Sequence, residues 1–464
     1  MSTVTANGAA LVPVRVLVKW LCFITVLFAS ADQWPTITAG FTFRLSQFCV
    51  FACMPLLLPI LKHDGVRTFP GLSWCTALVI WLIATLPFSL FTDRTVGYTF
   101  WVAANVLIIF VFVQVFKTER DVRLLVRMLM YSFIAMAAFG AVQMLAGFRG
   151  IDLFVTTWWV PGRVARVNGL SYEPSYYATY MMPGWILAMY LIEKRATAVP
   201  RGLQILTALA CTGALIICSS RLGWGLVFAW LGIRVGVYII RFLAGMRIRI
   251  GRVYATMALI VILLVPTVAV IIIYLDKILK LLSAISFLLS GLGLFGLSAH
   301  SSATRFSEFE MTWNAFMVHP FFGTGLGALP VEIGAQQGVT ISTIEEAKHH
   351  EGMSIFFELL ASVGIAGAAL FVGFAVAVIR AHRKVRVVVT PEMGTLIGAV
   401  GWSLVWLLLA LQFNQNFLRI YLWIDIAIFV CLISVCLREA RSRQRFAERE
   451  NVRLFAAETL PSKA

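Results

Sequence analysis

Four of the chain's six histidines, His300, His319, His349 and His350, fall inside one stretch of about fifty residues. An imidazole with its ordinary pKa near 6.5 exchanges its proton close to neutral pH, which suits a general base. His349 and His350 are followed at once by Glu351 in KHHEGMS, so three candidate proton acceptors stand in a row. A metal site would need further ligands at regular spacing, and none is present. The competing reading of each histidine is an exposed loop side chain.

Two arginines stand where a cation is expensive. Arg221, in CSSRLGWGL, lies between two apolar runs. A guanidinium there either snorkels to the interface or clamps an anion, for which its planar fork suits phosphate oxygens. Arg305 opens TRFSEFEMTWNAFMVHP, whose spacing predicts a helix with Phe306, Phe309, Trp313 and Phe316 on one face. That apolar stripe reads as packing. Arg305, Glu308 and Thr312 share the neighbouring polar face, where an Arg305–Glu308 surface pair would contribute little. His319-Pro320 ends the helix and GTGLG makes a glycine turn. No strand precedes it, so a dinucleotide fingerprint is rejected. Earlier, RVARVNGLSYEPSYYATYM sets Arg163, Arg166, Tyr172, Glu173, Tyr176 and Tyr177 just before an apolar run. These are either an interfacial aromatic belt or a glycan contact.

The elements that must position these residues are membrane helices. The 464 residues are 60% hydrophobic and 13% charged, against about 25% charged in soluble domains. Runs such as TMALIVILLVPTVAVIIIY match the roughly 20 apolar residues that cross the hydrocarbon core. They lack two-residue alternation, so helices are expected rather than a barrel. The expected fold is an all-α polytopic membrane protein of about twelve spans. They centre on 14–30, 42–61, 71–90, 98–116, 128–147, 176–193, 203–219, 222–240, 254–274, 355–379, 395–412 and 420–437. Residues 281–298 are apolar but glycine-broken, and read as an interfacial or re-entrant helix. The chain thus divides into membrane helices over 1–274, a long loop with short helices over 275–354, three further spans over 355–437, and a basic tail over 438–464.

The net charge of +16 concentrates between alternate spans: Lys62 and Arg67, Lys117 to Arg127, Lys194 to Arg201, Arg234 to Arg252, Arg380 to Arg386, and Arg438 to Arg445. By the positive-inside rule that side is cytoplasmic and both termini share it, with the long loop periplasmic in a bacterium. The tail's basic residues would meet anionic lipid heads. No basic, aromatic-interleaved soluble module exists, so nucleic acid is not expected as a partner. All eight cysteines lie in apolar runs and read as small core residues. No cleavable signal is expected, because the first apolar run carries Arg15 and Lys19.

In this order and topology the motifs resemble the O-antigen ligase and polymerase superfamily of bacterial envelope glycan enzymes. The resemblance covers roughly 150–430. It rests on Ser220-Arg221 between two central spans, Arg305 in a long loop, Trp313, HPFFGTGLG from His319, and the Gly364-x-x-Gly367 pair inside a span. The family's histidine-asparagine pair would fall on Met353-Ser354. The nearest histidine, His350, stands three residues upstream, about one helical turn. EPSYYATY is more similar to polymerases than to ligases. The resemblance implies transfer of glycan from undecaprenyl diphosphate at the periplasmic face of the inner membrane, with no cofactor, metal or nucleotide sugar. Its partners would be lipid-linked donor and acceptor and the membrane lipids, with a chain-length regulator and a flippase as further candidates. It implies that Arg221 and Arg305 hold the diphosphate, that His350, His349 or Glu351 takes the acceptor proton, and that Arg166, Tyr172, Glu173 and His319 position the glycan. A ligase passing finished glycan to lipid A-core or protein is the alternative within the superfamily. A transporter of lipid-linked glycan is the alternative outside it, although no repeated half supports that.

Overall fold

The structure is a computed structural model that describes residues 3–39, 41–160, 162–218, 220–245, 299–352, 354–413 and 417–458. The expected span 254–274 and the apolar segment 281–298 lie outside the described residues.

The first half of the chain folds as α1 (Thr3–Leu27), α2 (Leu45–Asp64), α3 (Leu72–Ala84), α4 (Thr92–Val115), α5 (Glu119–Phe148), α6 (Pro174–Glu193), α7 (Arg201–Cys218) and α8 (Arg221–Gly245). Then come α9 (Ala299–Val318), two short helices α10 (Leu329–Gln336) and α11 (Ile344–Ala347), and α12 (Ile355–Val388), α13 (Pro391–Ala410) and α14 (Ile420–Glu458). Among the described residues, eight helices contain stretches long and apolar enough to cross a membrane. α6 also covers the expected span 176–193, while α1 and the shorter α3 overlap 14–30 and 71–90 in part. The tail beyond Arg438 continues α14 as helix to Glu458.

α14 is the axis of the bundle. From Ile420 to Val435 it is buried on all sides and apolar apart from Asp425 and Ser434, as a helix is when neighbours surround it. α4 packs along it, with α5, α12 and α13 beside it. α6 is clasped between α7 and α13, while α1 rests on α2 and α5. All eight cysteines are buried in these packings and none is in a disulfide.

The two ends of the bundle differ in charge. At one end Asp64 pairs with Arg15 and Lys117, Lys19 with Asp121, and Arg123 with Glu119 and Glu392. Arg234–Glu193 and Arg443–Glu119 join the same basic end. The opposite, loop end carries two antiparallel hairpins, β1 (Thr36–Ala39) with β2 (Phe41–Arg44) and β3 (Thr157–Val160) with β4 (Val164–Arg166). These short hairpins are additions to a bundle that is otherwise helical, as expected. TITA and FTFR place β-branched and aromatic residues in two-residue alternation about a glycine, a hairpin pattern too short to stand out among apolar runs.

α12 is broken. Gly364 adopts φ 67° and ψ −178° in mid-helix, freeing backbone groups that a neighbouring segment satisfies. That segment is the glycine turn 319–327. Thr324 N donates to Ala361 O (2.9 Å), Gly325 N to Ser362 O (3.0 Å), and Ile365 N to Pro320 O (2.9 Å). Trp81 Nε1 reaches Val363 O at 3.2 Å from α3. Phe322 stacks between Trp81 and Phe88. The two backbones meet so closely that a Cβ on Gly364 would overlap the Phe321 carbonyl, and one on Gly323 the Ser362 carbonyl.

Candidate functional site

The break in α12 fixes the strand of chain just above it. Gly352 lies against Leu329 and Thr312, where a Cβ would crowd both. Ser354 takes a positive φ of 71°, donates its hydroxyl to Gln412 Oε1 (2.6 Å), and leads into Ile355, whose N–H reaches Leu411 O (3.0 Å). Glu351 is thereby held beneath the glycine turn, where Arg94 of α4 meets it in an ion pair. Arg94 is 5% exposed and also donates to Gly327 O and to Tyr98 Oη, both at 2.8 Å. The side chain of Glu358, one turn into α12, acts electrostatically on Arg94 and Tyr98.

A second ion pair faces the first. Arg419, 5% exposed, donates to Asp32 Oδ2 at 2.7 Å, and Arg44 Nε stands 3.0 Å from Asp32 Oδ1. The Arg419 guanidinium lies over the Tyr176 ring at 3.7 Å, a cation–π contact that strengthens when water is excluded. Asp32 is anchored through its own N–H and that of Gln33, both donating to Leu170 O at 2.9 Å. The two pairs form one cluster, because Glu351 feels Arg419 as well as Arg94, and Tyr176 feels Glu351. Burial pushes the Glu351 carboxyl above the usual carboxylate range, with Arg94 and then Arg419 opposing it. Burial alone would lower Arg419, but Asp32, Tyr421 and Tyr176 together raise it, so it stays cationic.

The expected site residues divide. Glu351 joins the cluster. His350, beside it, turns to Gln337 Oε1 at the end of α10 (2.8 Å), and His349 is exposed. His319 pairs with Glu332 of α10 at 3.4 Å. These two histidines are tied to α10 and not to the arginines. Ser354 stands in the register where the resemblance expects the histidine-asparagine pair, and it serves as a buried hydrogen-bond donor. Tyr172 is exposed, and Glu173 precedes α6 and accepts from Ser175 Oγ at 3.0 Å. Arg166 ends β4 and reaches Cys218 electrostatically, close to the two-residue turn between α7 and α8. Tyr177 is core, donating to Met136 O.

Arg221 is the first residue of α8, and Arg305 lies on α9 two turns from Thr312. Their side chains lie outside the described structure. Thr312 is fully buried against Gly352, so this position of α9 meets the chain next to Glu351. The aromatic stripe packs as expected: Phe309 and Trp313 set their edges on Phe357 at 5.7 and 5.8 Å.

Arg94, Tyr98, Asp32 and Arg419 were not singled out from the sequence. The signal was the one that marked Arg221, an ionisable residue at the edge of an apolar run, in FTDRTVGYTF and NFLRIYLW.

Residues 206–372 match the family model described as O-antigen ligase. Over these residues the chain is similar to the O-antigen ligase family. No curated protein matches the chain closely enough to serve as a named relative. The matched segment holds the glycine turn, the broken half of α12 and Glu351. Arg94, Asp32, Tyr176 and Arg419 reach the same cluster from outside it. Family and helices together fit a multi-pass membrane protein that processes glycans of the O-antigen type.

Proposed function

We propose that the chain, with twelve spans in the inner membrane and its loop end in the periplasm, polymerises lipid-linked repeat units. The growing glycan leaves undecaprenyl diphosphate and passes to a sugar hydroxyl of the incoming lipid-linked unit. The carrying observation is the Arg94–Glu351 pair beside Arg419 and Asp32, a buried cluster of paired charges in which burial raises the proton affinity of one carboxyl. In the step, the bond from the anomeric carbon to the diphosphate oxygen breaks as the acceptor oxygen bonds that carbon. The acceptor proton passes to Glu351, the best placed of the three candidate bases. Negative charge develops on the diphosphate, and Arg221 and Arg305 neutralise it electrostatically without a metal. Arg166, Tyr172, Glu173 and His319 line the approach of the glycan.

The family description favours a second reading, transfer of finished glycan to a lipid or protein acceptor. A deletion strain separates the two. Accumulated single repeat units support the polymerase, whereas accumulated long lipid-linked polymer supports the ligase. Purified protein given lipid-linked donor should lose turnover in Arg221→Ala and Arg305→Ala while remaining folded. Normal product from both variants would refute the diphosphate role.

A further inference from the structure

At the basic end, α12, α14 and the 65–71 turn before α3 enclose a cleft of about 410 Å³, within the size range of small-molecule sites. Arg380 and Lys384 enter it from α12, Ser434, Arg438 and Arg441 from α14, and Thr68 from the turn. Arg380 and Lys384 are four residues apart and so share one helix face. Among the described residues no carboxylate lines the cleft. Elsewhere at the same end Arg15, Lys19, Lys117, Arg123 and Arg443 each meet an acidic partner. Glu439, next to Arg438 in sequence, is engaged by Arg443 and by the Glu119 N–H.

Two polar groups in the cleft lack partners. Nη1 and Nη2 of Arg438 are shielded from solvent without a hydrogen bond, and so is the Ser434 hydroxyl. Leaving such donors unsatisfied is costly, more so for a charged group, and a ligand that accepts from them recovers that cost. Arg67, which also acts on Arg438, is held in place by Gln114, whose amide bonds its N–H and its carbonyl at 3.0 and 2.7 Å. The cleft lies where α14 passes from its apolar stretch into REARSRQR, the depth of lipid headgroups.

We propose that this cleft binds a phosphate group, the headgroup of an anionic phospholipid, through the Arg438 fork, the Ser434 hydroxyl and the Arg380–Lys384 face. The site is separate from the loop-end cluster and does not rest on the glycan-transfer reading.

The test uses full-length protein in mixed phosphatidylglycerol and phosphatidylcholine nanodiscs, with retained lipid read by native mass spectrometry. Arg438→Gln and the double variant Arg380→Gln/Lys384→Gln should each lower phosphatidylglycerol retention about tenfold relative to phosphatidylcholine. Arg443→Gln removes the same charge from the same end outside the cleft and should leave retention unchanged. Inorganic phosphate is the second arm. If it displaces phosphatidylglycerol and raises the thermal midpoint by itself, the site stands and a soluble phosphate is its source. Equal retention of the two lipids with no effect of phosphate overturns the site, as does an equal loss in Arg443→Gln. The double variant lies on a solvent-facing helix surface, so its folding, checked by thermal midpoint, keeps the test decisive if Arg438→Gln fails to fold.

Discussion

Glu351 holds two opposed influences. Burial favours its protonated form, and the two arginines favour the carboxylate. Acting as the base, it must be ionised, so the acidic limb of the kcat/KM profile should lie above the ordinary glutamate value near 4.3. Arg419→Gln removes one opposing charge and should move that limb to still higher pH; an unmoved or lowered limb would separate Glu351 from the reaction. Glu351→Gln should cut turnover by about 10²–10⁴-fold, and by leaving buried Arg94 without its carboxylate it should also lower the thermal midpoint. For stability the sign is the reverse of the usual acid. The folded protein binds the Glu351 proton more tightly than the unfolded chain, so this group's contribution is complete below the unfolded pKa and declines as pH rises through the folded one. Asp32 is a different case, because it compensates Arg419 at 4–5% exposure of both side chains. Asp32→Ala should cost about 3–5 kcal/mol by leaving that cation buried with no carboxylate, a loss readable as a lower midpoint in detergent. Asp32→Ala with Arg419→Met should recover part of it. From the sequence these arginines were as visible as Arg221, but nothing short of the fold pairs Arg419 with a carboxylate near the N-terminus.

At the scale of elements the glycine turn and the broken helix are one unit. HPFFGTGLG and Gly364-x-x-Gly367 are readable as motifs in the sequence, but their complementarity is not. Only the fold reveals that each supplies the backbone groups the other leaves free. Gly364→Ala should fail on two counts, a positive φ and an overlap with Phe321, and should lower both midpoint and activity sharply. Gly213→Ala, in α7 with open space around it, is the control and should leave the midpoint unchanged or raised. Comparable losses in both variants would remove the seam from the argument. The helices themselves were legible because lipid demands long apolar runs. The hairpins were not, since four-residue strands carry too little periodicity. The surroundings of the histidines were not legible either: a residue type suited to proton transfer says nothing about the α10 groups that meet His319 and His350.

For the whole molecule, charge separates the ends, and that separation should set its orientation. The eight buried cysteines give a quiet background for thiol labelling. Ser342→Cys at the exposed loop end should react with a membrane-impermeant maleimide in intact spheroplasts, whereas Arg441→Cys should react only after permeabilisation. The opposite pattern would invert the proposed topology. One further consequence follows from the long reach of the two ion pairs. Arg94 and Glu351 are 257 residues apart, and Asp32 and Arg419 are 387 apart. A ribosome making this chain delivers Asp32 387 residues before its partner. Until Arg419 is inserted, the cluster has one cation too few. On the proposed reading the site cannot meet its substrate half-built, because its charges balance only after the helices between them have been made.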